Sequence, residues 1–284
     1  MTHFSALITG PELVSRLGDP TLCIVDCRAS LQNPSAGWDA YAEAHLPGAK
    51  FADLLEDLSG PITPGETGRH PLPALETFVA KLRRWGVGAR SQVVAYDDAG
   101  GAFAARLWWM LRWLGHDAVA VLDGGFAAWL AEGRPVTDQV SEAVPGDFTA
   151  HPRSEWLVTT DELAAPQSTA RRLFDARAPE RFAGDVEPID PVAGHIPGAL
   201  NLPFADNLRD GRFRPPAELR QRLTQALDGS PPEDAIVYCG SGVTACHDIL
   251  AFAHAGLPLP RLYAGSWSEW ITDSARPTAR RDAR

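Results

Sequence analysis

The sequence predicts an α/β protein with two tandem domains, each built on a mostly parallel sheet flanked by helices. Short runs of β-branched residues alternate with amphipathic helical patterns, which is typical of strands joined by crossover helices. The same pattern is present twice in the 284 residues, with a spacing of about 145 residues. A chain of this length exceeds the usual size of one domain, so each copy can bury a core of its own.

Four pairs of matching segments define the repeat. The later pairs are separated by fewer residues than the earlier ones, so the first copy carries about eight extra residues. These lie in the stretch 60–70, which we interpret as a long functional loop. The matching segments are 25–28 with 174–177, 44–49 with 194–199, 94–97 with 236–239, and 122–125 with 263–266.

The repeat divides the chain into three parts. We predict a first domain over 1–138, a linker over 139–155 and a second domain over 156–284. Pro, Gly and polar residues gather in the linker, between the patterned segments. Helices are predicted over 102–114 and 243–255, because each pattern is followed by a glycine that can cap a helix C-terminus.

Composition and charge narrow the functional classes. Hydrophobic residues make up 45% and charged residues 22% of the chain, as in an ordinary globular protein. The formal net charge of −10 argues against nucleic acid and anionic membranes as partners, because both bind basic patches. The first residues lack the pattern of a secretory signal and no run is long and apolar enough to span a bilayer, so a cytoplasmic protein is expected.

Four cysteines are too few for a disulfide scaffold in a chain of this length. They group as Cys23 with Cys27 and Cys239 with Cys246, which is not a zinc spacing, and no metal site is predicted. Cys23 and Cys27 point to one face of a strand-like run, where burial is expected. For Cys246 two readings stay open, namely an ordinary buried thiol and a partner in a redox disulfide.

Cys239 stands at the end of an apolar strand-like run and before a Gly-Ser-Gly turn that opens into a helix. Amide N–H groups of such a turn can point at the sulfur and the positive end of the helix adds to them, so the thiolate is favoured. Gly240 and Gly242 let a short loop curl around whatever the sulfur carries. The pattern predicts a nucleophile, against the alternative of a structural buried cysteine. The first copy has Asp97 at this place, so only the second can hold a sulfur nucleophile.

Several motifs, in order along nearly the whole chain, resemble those of the rhodanese family. The loop Cys-Gly-Ser-Gly-Val-Thr-Ala-Cys resembles the active loop of its two-domain branch, the mercaptopyruvate sulfurtransferases. The resemblance implies two tandem rhodanese-like domains, the second of them catalytic, and an enzyme that needs no metal or organic cofactor. The other matching segments are 175–177 with 181–182, 194–199 and 265–270.

In such an enzyme the Cys239 thiolate attacks the outer sulfur of a small anionic donor and keeps it as a persulfide. A thiol, a thioredoxin-like protein or cyanide then accepts that sulfur. Neutral residues follow the cysteine, where the thiosulfate-preferring branch has cations, so the resemblance indicates 3-mercaptopyruvate as the donor. It assigns donor binding to the loop residues Gly240, Gly242, Val243 and Thr244.

Two polar residues match positions of the family's substrate site. Ser241 matches the serine proposed to polarise or protonate the departing enolate, and the alternative is a hydroxyl that only closes the turn. Arg181 matches the carboxylate-binding arginine, since guanidinium can hold a carboxylate bidentately; a surface charge is the alternative. Nine residues later, where the mercaptopyruvate enzymes usually carry a second arginine, this chain has Asp190. That departure weakens the donor assignment and leaves the reaction class intact.

His70 lies in the extra loop of the first copy and matches the histidine that the family places near the catalytic serine. It can relay a proton to Ser241. Asp53 or Asp57 is predicted as its acidic partner, because a leucine stands where the carboxylate is expected. Arg69 either adds positive charge near the site or is a solvated loop arginine.

Three alternatives to a mercaptopyruvate enzyme follow from the same loop. A thiosulfate:cyanide sulfurtransferase would use the same thiolate and persulfide with another donor. A persulfide carrier module would keep the loop and pass sulfur only to a protein partner. A cysteine phosphatase also places a thiolate before a helix, but that class needs an arginine at the end of the loop, where this chain has Ala245.

Overall fold

A computed structural model describes residues 3–165 and 172–280 of the chain. These residues form two compact units. The first contains the chain up to Gly60 together with Leu72–Arg153 and Asp210–Phe213. The second contains Pro61–Pro71, Ser154–Arg209 and the residues from Arg214 onward. The extra loop of the first copy therefore belongs to the second unit.

The first unit is built on a five-stranded sheet with the order β1-β5-β4-β2-β3, in which every pair is parallel. The central strands consist mostly of apolar residues and are buried along nearly their whole length, as expected for a sheet covered on both faces. The strands are β1 Leu7–Ile8, β2 Leu22–Asp26, β3 Lys50–Phe51, β4 Gln92–Tyr96 and β5 Val119–Leu122.

Among the described residues of the first unit, five helices accompany this sheet. They are α1 Gly10–Val14, α2 Ala36–Glu43, α3 Leu75–Arg84, α4 Ala104–Trp113 and α5 Gly125–Ala131. Helix α1 begins with a capping box, in which Thr9 accepts from the Glu12 amide and the Glu12 carboxylate accepts from the Thr9 amide. The predicted helix 102–114 is confirmed with shorter limits, and Trp108 and Trp109 on it are fully buried in the core.

The second unit contains a parallel four-stranded sheet with the order β11-β10-β6-β7. Helix α8 buries Leu219, Leu223 and Leu227, which repeat every fourth residue along one face. The strands of this sheet are β6 Leu173–Asp175, β7 Leu200–Asn201, β10 Ile236–Tyr238 and β11 Arg261–Leu262. Strand β8 Leu208–Arg209 also belongs to the second unit, and strand β9 Arg212–Phe213 lies in the first unit. The helices are α6 Thr160–Ala164, α7 Pro179–Ala183, α8 Pro216–Leu227, α9 Ala245–His254 and α10 Ser266–Trp270, with 3₁₀ turns at Ser154–Trp156, Phe204–Asn207 and Pro232–Asp234.

The internal repeat is visible in equivalent buried contacts of the two sheets. In the first unit, Arg28 is paired with Asp26 at 2.6 Å, and in the second Arg177 is paired with Asp175 at 2.6 Å. The neighbouring strand of each sheet ends in a tyrosine whose hydroxyl accepts a backbone amide. These contacts repeat because the same short motifs occupy the same strand ends. The predicted α/β architecture of two parallel sheets flanked by helices is confirmed.

The predicted domain limits of 1–138 and 156–284 remain predictions. The burial predicted for Cys23 and Cys27 is confirmed. Throughout 3–165 and 172–280, none of the helices is both long enough and apolar enough to cross a bilayer.

Candidate active site

Cys239 directly follows β10, and its loop leads into helix α9. The turn brings the Gly242 amide within 3.1 Å of Cys239 Sγ, to which it donates a hydrogen bond. Gly242 has a φ of +77°, in the left-handed region that glycine enters without a steric cost. A backbone amide and the N-terminal end of a ten-residue helix therefore both face the sulfur side of the loop and favour negative charge there.

The start of the same loop is fixed by helix α10. The Cys239 amide donates to Ser266 Oγ at 3.1 Å, and the Trp267 amide donates to the Cys239 carbonyl at 3.0 Å. The Ser268 amide donates to the Gly240 carbonyl at 2.9 Å. Cys239 is only 2% exposed. The sulfur is therefore held in one position in a largely water-free environment, where hydrogen bonds to charge are strengthened.

Ser241 and His70 meet beside this loop. His70 Nδ1 lies 2.7 Å from Ser241 Oγ, and each residue is 5% exposed. With the ring proton on Nε2, the serine hydroxyl donates to Nδ1. The structure thus brings together two side chains that are 171 residues apart in sequence.

The loop that carries His70 packs against the start of helix α10. The Arg69 amide donates to Ser268 Oγ at 3.0 Å. A Cβ atom at Gly68 would lie 2.6 Å from both the Gly265 carbonyl oxygen and Ser268 Oγ, so no larger residue fits there without a shift. This close approach positions His70.

The two candidates for an acidic partner of His70 have other contacts, and both lie in the first unit. The Asp53 carboxylate accepts the amides of Leu55 and Glu56 at 2.7 and 3.0 Å. The Asp57 carboxylate forms an ion pair with Lys81 and accepts the Asp53 amide. These contacts assign both carboxylates structural roles in their own unit, and the pairing with His70 stays a prediction.

Arg181 is held by carboxylates of its own unit. Its Nε and Nη2 donate to the Glu187 carboxylate, with a shortest distance of 2.7 Å, and Nη2 also lies 3.2 Å from Asp190 Oδ2. Glu187 also accepts from Arg177 at 3.3 Å. Arg181 is therefore an oriented, mostly buried guanidinium, unlike the solvated surface charge that was the alternative.

For Arg69 the sequence left two readings open, namely added positive charge near the site and a solvated loop arginine. Its Nη1 forms an ion pair with Asp190 Oδ1, so Asp190 joins Arg69 to Arg181. Burial lowers the pKa of Arg69 from its ordinary value, and the neighbouring Cys239 acts in the opposite direction. In the sequence, the only indication that Arg69 lies near the site was its position directly before His70.

The other loop residues and Cys246 are close to the sulfur in sequence and in space. Gly240, Gly242 and Val243 are buried, and Thr244 is half-buried at the N-cap of α9. Cys246 is buried and is not part of a disulfide, and its Sγ donates to the Gly242 carbonyl at 3.3 Å. Within the part of the chain that the structure describes, no group of three or more His, Cys, Asp or Glu side chains is arranged to hold a metal.

The equivalent loop of the first unit binds a carboxylate of its own. Asp97 is 1% exposed, and burial raises the pKa of its carboxyl, while hydrogen bonds from backbone amides act to lower it. The loop before α4 thus encloses an internal anion where the second unit has the sulfur. The amides that donate to Asp97, each at 2.8 Å, belong to Ala99, Gly101, Phe103 and Ala104.

A family model described as Rhodanese-like domain matches residues 9–132 and 159–273. The chain belongs to the rhodanese family. A relative from Pseudomonas aeruginosa, named probable 3-mercaptopyruvate sulfurtransferase, is 54% identical over 97% of this chain and 98% of its own. A Mycobacterium tuberculosis relative, named putative thiosulfate sulfurtransferase, is 42% identical and covers 96% of each chain.

Among solved rhodanese-family structures, the crystal structure of a 3-mercaptopyruvate sulfotransferase from Escherichia coli is similar to this chain. The TM-score is 0.79 at 34% identity, and the match covers 94% of this chain and 100% of the other. The predicted membership of the two-domain rhodanese family, with greatest likeness to its mercaptopyruvate branch, is confirmed.

Proposed function

We propose that this rhodanese-family protein is a sulfurtransferase that moves a sulfane sulfur from 3-mercaptopyruvate to a thiol or cyanide acceptor through a persulfide on Cys239. The observation that carries the proposal is the hydrogen bond between His70 and Ser241. Ser241 belongs to the loop whose Gly242 amide donates to Cys239 Sγ. The relatives named mercaptopyruvate sulfurtransferase support the choice of donor.

In the first half-reaction the Cys239 thiolate attacks the sulfur of mercaptopyruvate. The new S–S bond forms as the C–S bond breaks, and the electron pair of that bond passes into the enolate of pyruvate. The proton of the donor thiol stays on the outer sulfur, which leaves a Cys239 persulfide. The loop amide and the end of helix α9 stabilise negative charge on the sulfur before and after transfer.

Ser241 and His70 act on the leaving enolate. The Ser241 hydroxyl gives its proton to the developing enolate oxygen, and His70 replaces that proton from Nδ1. For this step His70 carries a proton on both ring nitrogens and Nδ1 donates to Ser241 Oγ; afterwards the ring is neutral, with its proton on Nε2. Protonation completes the release of pyruvate. This step is needed for a carbonyl donor and has no counterpart with thiosulfate, whose leaving group is the stable anion sulfite.

In the second half-reaction an acceptor thiolate or cyanide attacks the outer sulfur of the persulfide. A new bond forms to the acceptor, the S–S bond breaks, and the Cys239 thiolate is restored. A small thiol and a thioredoxin-like protein both supply the required thiolate. No metal and no organic cofactor takes part in this scheme, because sulfur is both nucleophile and leaving atom.

Donor binding is assigned to Arg181 and to the loop. Arg181 orients the donor carboxylate, and the loop surrounds the sulfur end with Gly240, Gly242, Val243 and Thr244. Catalysis is assigned to Cys239, Ser241 and His70. The proposed domains are 1–138, which lacks the cysteine, and 156–284, joined by 139–155. We also propose the cytoplasm as the compartment, since turnover needs Cys239 reduced and none of the four cysteines, all of which the structure describes, is in a disulfide.

A thiosulfate:cyanide sulfurtransferase is the second candidate. A relative at 42% identity carries the name putative thiosulfate sulfurtransferase, and the position of the family's second arginine is Asp190 in this chain. The persulfide on Cys239 is common to both candidates. A carrier module that discharges only to a protein partner remains the third.

The test is the intact mass of the protein after incubation with mercaptopyruvate or with thiosulfate. We expect a gain of one sulfur atom in the wild type and in a Cys23→Ala control, and no gain in Cys239→Ser. The rate at which the mass increases with each compound ranks the two donors. Small thiols should then remove the added sulfur from the protein. An unchanged wild-type mass with both donors would reject the proposed function.

A further inference from the structure

Four charged side chains form a cluster beside the catalytic loop, which we call the arginine–carboxylate cluster. Glu187 and Asp190 have side chains that are 4% and 2% exposed, and Asp190 lies between the guanidinium groups of Arg69 and Arg181. Arg181 contacts both carboxylates, and Arg69 contacts Asp190. All four belong to the second unit. Buried charges are stable only when paired in this way.

Each guanidinium keeps donors that these carboxylates do not use. Arg181 engages Nε and Nη2, and no hydrogen bond of Nη1 to any described residue is present. Arg69 engages Nη1, and no hydrogen bond of its Nη2 to any described residue is present. Guanidinium N–H groups are strong donors to carboxylates, so these positions suit an anionic ligand.

The free donors of both arginines lie over Gly240, next to the nucleophile. A Cβ atom at Gly240 would be 3.0 Å from Arg69 Nη2 and 3.6 Å from both terminal nitrogens of Arg181. Gly240 directly follows Cys239, and the charge of Cys239 acts on Arg69, so an anion at this place lies close to the sulfur. The absence of a side chain at Gly240 keeps the space open.

We propose that Arg69 and Arg181 together bind the carboxylate of the donor, with Arg69 Nη2 and Arg181 Nη1 as its two donors. Arg69 is then a specificity-determining residue, and Asp190 is a positioning residue that holds both guanidinium groups through its two oxygens. The inference rests on the proposed function for the identity of the donor, a 2-oxo carboxylate with a sulfur on the third carbon.

The cluster gives a physical reason for the aspartate at position 190. A positive residue there would add a third cation beside Arg69 and Arg181, whereas an aspartate pairs with both. The second positive charge of the site then comes from the loop that also carries His70. One short segment thereby supplies both a carboxylate-binding group and the histidine bonded to Ser241.

The first experiment measures binding without catalysis. Pyruvate, which is the donor without its sulfur, is titrated into the Cys239→Ser protein by calorimetry. We expect Arg69→Ala in this background to weaken binding roughly tenfold, the loss of one charge-assisted hydrogen bond. Arg69→Lys should recover part of the affinity. The control Arg209→Ala removes an exposed arginine that pairs with Glu218 in the same unit, and it should leave the affinity unchanged.

The second experiment separates positioning from folding. In the wild-type background, Arg69→Ala should raise KM for mercaptopyruvate roughly tenfold with little change in kcat. Added guanidinium ion should restore part of the lost affinity, which it would not do if Arg69 were only structural. Asp190→Asn should raise KM in the same way. Melting temperatures identify a variant that fails to fold, and Arg69→Gln then replaces Arg69→Ala.

Unchanged pyruvate affinity and unchanged KM in a folded Arg69→Ala protein would overturn the inference. That result is distinct from failure of the proposed function, in which Cys239 of the wild type gains no sulfur. The pyruvate titration is informative in either case, because it needs no sulfur transfer.

Discussion

His70 Nδ1 lies 2.7 Å from Ser241 Oγ, although the two residues come from segments 171 positions apart. The histidine is held there by the close packing of Gly68 against helix α10, and the serine by the turn that also directs the Gly242 amide at Cys239. The Ser241–His70 pair and the Cys239 sulfur are thus fixed by one short loop and one helix end.

The first prediction concerns the role of this pair. Ser241→Ala and His70→Asn should each lower kcat with mercaptopyruvate by about a hundredfold, since general acid catalysis contributes a factor of that order. With thiosulfate the loss should be small, because sulfite leaves without protonation. Steady-state rates with both donors measure the difference. The double variant should be no slower than the worse single variant, and additive losses would contradict a shared role.

The second prediction concerns the position of the His70 loop. Gly68→Ala places a methyl group 2.6 Å from the Gly265 carbonyl oxygen, so the loop must move. We expect kcat with mercaptopyruvate to fall roughly tenfold or more, as small displacements of catalytic groups have large effects. Glu66→Ala, which changes an exposed side chain of the same loop, is the matched control. Equal activity of the two variants would show that the loop tolerates the methyl group.

The third prediction concerns the anion held by the first unit. Asp97→Ala leaves four amides without their acceptor, two of them buried, and we expect a loss of roughly 3 kcal/mol in the free energy of unfolding. Chemical denaturation measures it. Asp98→Ala, at an exposed neighbouring position, should change stability by less than about 0.5 kcal/mol. Similar values for the two variants would argue against a structural role for Asp97.

The fourth prediction concerns Asp248, a fully buried carboxyl on helix α9 that accepts from Asn207 Nδ2 at 2.7 Å. Burial raises the pKa of Asp248 from 3.8 to about 7. Between these two values the unfolded chain releases this proton and the folded chain keeps it, so the contribution of Asp248 to stability falls as pH rises. Above the folded pKa the contribution stays at its lowest value.

Asp248→Asn removes this titration and keeps an oxygen that can accept from Asn207. The variant should therefore gain stability relative to the wild type, and the gain should be larger at about pH 8 than at about pH 5. Denaturant unfolding at the two pH values measures it. Asp185→Asn, at an exposed position of the second unit, is the control, and a gain independent of pH would contradict the assignment.

Local sequence determined the parallel strands, the helix ends and the turn around Cys239. Strand periodicity and glycine positions act over a few residues, so they can be read without knowledge of distant contacts. The duplication and the family motifs also lie in the linear order of residues, and they led to Cys239 as the proposed nucleophile and to His70.

The tertiary structure alone decided which charges meet. Arg69 and Asp190 are 121 residues apart, and nothing in either neighbourhood indicates that they pair beside Gly240. In the same way, four amides surround the Asp97 carboxylate only once the loop before α4 has folded. Pairing of charges depends on distances that the fold sets between remote segments, whereas the pattern of a sequence reports on neighbours. The sequence therefore predicted the nucleophile, and the fold determined the arrangement of charge around Cys239.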